Sequence, residues 1–146
     1  MLSNAMVIPT IPTKDFNRSR QFYEQILGFS VVAEDHSPGI MYQSGEGTML
    51  YLFYQANFSP CDHTVASFIV DNIESEVQEL KSKGLQFQEY SIPSMKIKTV
   101  NSIASYANMK AAWFKDPENN ILAIVELSPS IKNALHRQLA EVSAAV

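Results

Sequence analysis

The sequence predicts an α+β chain in which a βαβββ unit is written twice and followed by a C-terminal helix. Three observations carry this. The order strand, helix, strands occurs twice along the chain. Both helices carry matching punctuation: Asp15 and Asn72 are N-caps, and Gly28 and Gly84 stand just past the last turn. Short apolar segments separated by glycine and proline turns follow each helix.

Residues 1–5 show little pattern, and Ser3-Asn4-Ala5-Met6 resembles the remnant left when an expression tag is removed. A strand is expected over 6–13. Pro9 and Pro12 each remove a backbone donor, so it must be irregular or lie beside an edge. In the helix between Asp15 and Gly28, Phe16, Phe22, Tyr23, Ile26 and Leu27 recur at helical spacing. Strands are then expected over 29–34, 40–43 and 48–55, separated by turns at Ser37-Pro38-Gly39 and Gly45-Glu46-Gly47. The second unit starts with a strand over 64–70. Its helix has an apolar stripe of Ile73, Val77 and Leu80, with Glu79 and Lys83 paired at i,i+4 on the outer face. A strand over 85–91, an irregular segment over 92–106 and strands over 108–115 and 120–127 complete it. Ser128 and Pro129 open the last helix, whose stripe of Ile131, Leu135, Leu139 and Val142 requires burial on this sheet or on a partner. The expected division is 1–5, a domain over 6–127 with modules at about 6–55 and 64–127, and a helix over 128–146.

The chain has 146 residues, 46 % of them hydrophobic and 18 % charged, enough apolar surface for one packed domain. A net charge of −4 is not the footprint of a nucleic-acid binder. No apolar run approaches the roughly 18 residues needed to cross a bilayer. The start lacks the basic-then-apolar pattern of a secretory signal. Cys61 is the only cysteine, so no internal disulfide or CxxC metal site can form. These features point to a cytoplasmic protein with no nucleic-acid or membrane partner.

Asp15-Phe16-x-x-Ser19-x-x-Phe22-Tyr23-x-x-x-Leu27-Gly28-Phe29 resembles the first-helix signature of the vicinal oxygen chelate superfamily. That group includes glyoxalase I, extradiol dioxygenases and the fosfomycin- and bleomycin-resistance proteins. Phe68-x-Val70-x-Asn72-Ile73 with Leu80-Lys81-x-x-Gly84 is similar to the start of its second module. Phe114-x-Asp116-Pro117-Glu118-Asn119-Asn120 is similar to the turn before its last strand, with Asn119 where glycine is usual. The resemblance spans about 6–127 and implies two βαβββ modules forming a curled mixed sheet around one cavity. It also implies homodimerisation, common among small members. In its metal enzymes, two or three His/Glu ligands leave a divalent cation with open positions to polarise a substrate oxygen.

Carried over one at a time, those ligand positions fall on Ile8, Tyr51, Val65 and Ala123. Three are hydrocarbon and Tyr51 is a weak donor, so no cofactor or metal is expected. His63 is the remaining candidate ligand, two residues before Val65, although a loop histidine is ordinarily solvated. Cys61 and His63 together form a nucleophile-and-base pair that no third group orients, so Cys61 reads as an incidental thiol, and Glu126 reads as a solvated carboxylate. His36 and His136 read as surface residues, and Lys96, Lys98, Lys110 and Lys115 as a solvated face or an anion-attracting cavity mouth.

Alternation instead puts Met49, Tyr51 and Phe53 on one strand face with the ligand positions, and Met109, Ala111 and Trp113 on the matching face. With Ile8, Thr10, Val65, Ser67, Ile121, Ala123 and Val125, the implied cavity wall is apolar and aromatic. Such a wall suits a small organic ligand with a flat or greasy body, unless its own side chains fill the space. The expected function is therefore metal-free binding of an aromatic or amphipathic molecule, as in the bleomycin-resistance branch. The alternative is a divergent glyoxalase-like lyase or dioxygenase acting on a small organic substrate.

Overall fold

A computed structural model describes residues 1–35 and 39–145 of the chain. Residues 1–5 hold one exposed 3-10 turn, Leu2–Asn4. The first strand, β1, is shortened to Thr10–Thr13. Pro9 stays outside it, and its carbonyl accepts from Tyr51 N at 2.9 Å. Pro12 is tolerated because β1 is an edge strand, where one missing donor breaks no ladder on the open side. The helix α1 (Phe16–Arg20) is capped as expected, with Arg18 N donating to Asp15 Oδ1 at 3.1 Å. It then widens into a π-helical stretch, Gln21–Ile26, closed by Leu27 N donating to Phe22 O. Within that stretch the consecutive rings of Phe22 and Tyr23 meet edge-to-face at 5.2 Å, both buried. The strands β2 (Ser30–Asp35), β3 (Gly39–Gln43) and β4 (Met49–Tyr54) complete the first module, with a 3-10 turn at Gly45–Gly47. Their sheet order is β1-β4-β3-β2, with β1 parallel to β4. Of the expected turn at Ser37-Pro38-Gly39, only Gly39 lies within the described residues, as the first residue of β3; His36 also lies outside them.

The second module repeats the plan with β5 (Thr64–Ile69), α2 (Ile73–Ser82), β9 (Met109–Lys115) and β10 (Ile121–Glu126). Asn72 caps α2 through Ser75 N at 2.9 Å, and Lys83 pairs with Glu79 at 2.9 Å. Between α2 and β9 the sequence expectation fails. The strand expected over 85–91 reduces to one bridge, Phe87 to Phe114, and a two-residue strand β6 (Ser91–Ile92). The segment expected to be irregular instead forms β7 (Ile97–Val100) and β8 (Ile103–Tyr106). Asn101 and Ser102 make this hairpin, both with positive φ (52° and 74°), as a tight two-residue turn requires. The sheet order is β5-β10-β9-β8-β7-β6. Two mixed sheets thus carry the α+β architecture, and no ladder joins them among the described residues.

One face of both sheets is covered by the helices. Ile11, Tyr42, Leu52, Phe114 and Leu122 from the strands cluster with Phe22, Tyr23, Ile73, Val77 and Leu80. The turn between β9 and β10 fastens the modules together. Buried Asp116 accepts from Tyr23 Oη at 2.7 Å, from Asn120 Nδ2 at 2.9 Å, and from Glu118 N and Asn120 N at 2.9 Å each. Burial pushes its carboxyl above the usual value against those four donors, and burial likewise holds the Tyr23 phenol well above its own. Asn120 Nδ2 also donates to Pro12 O at 3.1 Å. Glu118 Oε1 receives Asp15 N at 3.2 Å and lies 3.2 Å from Thr13 Oγ1. Asn119 takes the left-handed conformation expected of it, φ 66°. This explains the motif: the side chains of Asp116, Glu118 and Asn120 serve the joint between the modules or the turn itself, and Asn119 serves the turn through its backbone.

The last helix, α3 (Pro129–Ala144), starts at Ser128 and Pro129 as expected, but Ser128 makes no side-chain cap and instead meets Ser130 at 3.3 Å. No residue of α3 is buried. Lys132 ties its first turn to Asp71, while Ile131, Leu135, Leu139 and Val142 remain exposed on this chain. No helix among the described residues is long and apolar enough to cross a membrane.

Candidate ligand-binding face

The helix-free faces of the two sheets carry equivalent rows of side chains. In the first, Thr10, Tyr51 and Met41 stand side by side across β1, β4 and β3. In the second, Ser67, Ala123 and Trp113 stand side by side across β5, β10 and β9. The two parallel registers agree, so Tyr51 and Ala123 occupy matching central positions, as their sequence contexts imply.

The aromatic content comes from different strands in each row. Tyr51 and Phe53 are half-buried, with ring planes 10° apart and centroids at 6.4 Å. The Tyr51 ring lies across the bare backbone of Gly39. A Cβ there would sit 1.8 Å from the Tyr51 hydroxyl oxygen, so only glycine leaves room for this rotamer. In the second row the small side chain of Ala123 faces Trp113 directly, which gives the indole space on its strand. Ala111, Ala123 and Val125 are buried beneath Tyr106, Met109, Trp113 and Leu127. Part of this face is therefore filled by its own side chains.

Tyr90 is a member of the face that sequence periodicity missed. It packs edge-on against Trp113 at 5.5 Å. Its position depends on the hairpin: Tyr90 N donates to Thr99 Oγ1 at 2.8 Å, and Ser102 Oγ donates to Glu89 Oε1 at 2.7 Å. Hydrogen bonds from Thr99 and Ser102 hold the Glu89 carboxyl below its usual range. Neither Tyr90 nor Gly39 carries a local signal for this role, since each acts through a strand that is distant in sequence.

The other expected residues are distributed as follows. Thr10 and Ser67 are exposed, Met49 is half-buried, and Ile8 is half-buried just before β1. Val65 departs from the row. The ladder between β5 and β10 slips there, with Ile121 opposite Thr64 and Leu122 opposite Ala66, and Val65 packs against the main helix-side core. His63 and Cys61 are exposed in the loop before β5. Glu126 is not simply solvated, because it receives Ile73 N at 2.8 Å and so caps α2. Lys110 pairs with Glu74 at 2.6 Å. It is thereby held on the α2 side, away from any mouth on the opposite face.

These residues do not fit a catalytic metal. Ile8, Val65 and Ala123 offer no lone pair, and the Tyr51 hydroxyl is turned over Gly39. Among the described residues no group of three His, Cys, Asp or Glu side chains comes together.

The model of the glyoxalase/bleomycin resistance protein/dioxygenase superfamily matches residues 5–124. The chain belongs to that superfamily. Solved structures with the superfamily fold agree along nearly the whole chain. A glyoxalase family protein from Enterococcus faecalis is 20 % identical, covering 86 % of this chain and 100 % of that one, with a TM-score of 0.65. A glyoxalase/dioxygenase from Nostoc punctiforme is 17 % identical, covering 87 % and 94 %, with a TM-score of 0.59. A lactoylglutathione lyase from Agrobacterium tumefaciens is 19 % identical, covering 84 % and 93 %, with a TM-score of 0.57. At these identities the likeness to other superfamily members extends to the fold. No curated protein matches the sequence.

Proposed function

We propose that the chain is a metal-free small-molecule-binding protein of the glyoxalase/bleomycin-resistance type, taking an aromatic or amphipathic organic ligand on the helix-free faces. The observation that carries this reading is the set of half-buried rings Tyr51, Phe53 and Trp113 at and beside the positions where the superfamily's metal enzymes hold their ligands. A planar ligand gains dispersion and ring-edge contact there, and Thr10 and Ser67 supply hydroxyls for orientation. Trp113 is the only tryptophan, so its emission reads occupancy directly. Titration with planar aromatic compounds should change that emission saturably. Trp113→Ala should weaken binding by about tenfold while leaving the fold intact, in line with roughly 0.5–1.5 kcal/mol for a ring contact beyond its buried area. Unchanged emission, together with stoichiometric zinc, nickel or iron in protein purified without chelators, would sink this reading in favour of a metalloenzyme.

We further propose that two copies of the chain pair through α3. Its stripe recurs as Ile131, Leu135 and Leu139 at i, i+4 and i+8, the ridge that interdigitates when two helices cross at about −50°. Lys132 lies in its first turn, Arg137 just past its middle and Glu141 near its end. Antiparallel pairing brings the Glu141 end of each copy toward the Lys132 end of the other.

A further inference from the structure

On the opposite side from the aromatic rows, a pocket of about 150 Å³ lies where Leu27 and Phe29, just past the π-helical stretch, and Ser44, just past β3, meet α2 and the second sheet. Its wall is made by Leu27, Phe29, Phe68, Leu80, Phe114 and Ile124. Phe29 and Phe68 are tilted rings 5.3 Å apart, and Phe114 and Leu80 are buried. Exposed Ile69 marks the mouth. Two polar side chains also line it, Ser44 and Glu76, both half-buried. Ser44 uses its N–H on Thr48 O, and its hydroxyl makes no hydrogen bond among the described residues. Glu76 makes no ion pair among them, in contrast to Glu74 and Glu79 on the same helix.

We propose that this cavity is a second, separate binding site for a small aromatic amine, with one ring in the hydrocarbon pocket and its ammonium against Glu76. The volume has room for a single ring, in a pocket that is open to solvent on the side away from Phe114 and Leu80 rather than closed over. The carboxylate sets the charge. A half-buried acid beside a hydrocarbon wall favours a cation and repels a carboxylate more strongly than it would in open solvent. The Ser44 hydroxyl accepts one of its N–H groups. This site stands independently of the one on the helix-free faces.

The test is a two-dimensional amide NMR titration of the whole chain with benzylamine, benzyl alcohol and benzoate, with Trp113 emission followed in parallel. Benzylamine should shift the amides of Leu27, Phe68 and Leu80 saturably, on a titration curve separate from that of any change in Trp113 emission. Benzyl alcohol should bind the same residues about fivefold more weakly, and benzoate should not bind them. Glu76→Gln keeps the apolar stripe of α2 and should bring benzylamine down to the affinity of benzyl alcohol. Equal binding of amine and alcohol, or a Gln variant that binds benzylamine as the parent does, overturns the proposal. So does the absence of shifts around the cavity. Shifts confined to Tyr51, Phe53 and Trp113 would also overturn it while supporting the ligand site on the other face, so the two readings fail separately.

Discussion

Gly39 and Tyr51 illustrate how one residue's identity is set by another's conformation. Gly39 has no positive φ to accommodate, so its backbone would accept any residue. The excluded volume of the Tyr51 ring is what demands glycine. Gly39→Ala should therefore displace that ring and cost about 1–3 kcal/mol, the range for overpacking a fitted site. Urea denaturation would show the loss, and the pairing of Tyr51 with Phe53 would be broken in a structure of the variant. A stability unchanged from the parent would mean the ring has another rotamer of equal energy. The sequence shows Gly39 beside a proline and so suggests a turn residue. Its partner is 12 residues away on another strand, and no local pattern contains that contact.

At the scale of elements, the hairpin of β7 and β8 depends on a carboxylate outside it. Hydrogen bonds hold Glu89 below the ordinary glutamate value of about 4.3. A depressed folded-state value means the stabilisation is complete above the unfolded value and is lost as pH falls through the folded one. Amide protection in β7 and β8 should therefore persist from neutral pH to about pH 5 and decline below about pH 4. Glu89→Gln should lower that protection by about two- to threefold at neutral pH and flatten its dependence on acid. The sequence reveals α1 and α2 well because Asp15, Asn72, Gly28 and Gly84 act within one turn of their own helices. It hides the hairpin because Asn101-Ser102 specifies a turn only when flanking strands pair. It hides the slip at Val65 because a bulge belongs to the ladder between β5 and β10 rather than to either strand. Of the four positions that the family resemblance supplies, Tyr51 and Ala123 take matching central places in the two sheets, whereas Val65 turns to the helix side at the slip. The rings that pack around them were only partly readable, since Tyr90 arrives through the hairpin.

For the whole molecule, the proposed pairing through α3 sets the expected state of assembly. Light scattering at micromolar concentration should give a dimer, and Leu135→Lys should give a monomer with an unchanged circular dichroism spectrum. A parent chain that is monomeric at that concentration would refute pairing through α3. The joint between the modules bears on a different property. It is made by the shared core and by the side chains of Asp116, Glu118 and Asn120 reaching β1, the Asp15 cap and Tyr23, with no shared ladder among the described residues. The covalent connection over 55–63 is exposed and takes no part in that joint, with Phe58 alone half-buried under Lys14. Continuity of the backbone is therefore dispensable there. A protease that nicks this connection should leave two fragments that co-elute on size exclusion and separate only in denaturant. Genes for the two halves, expressed together, should reassemble into the intact fold.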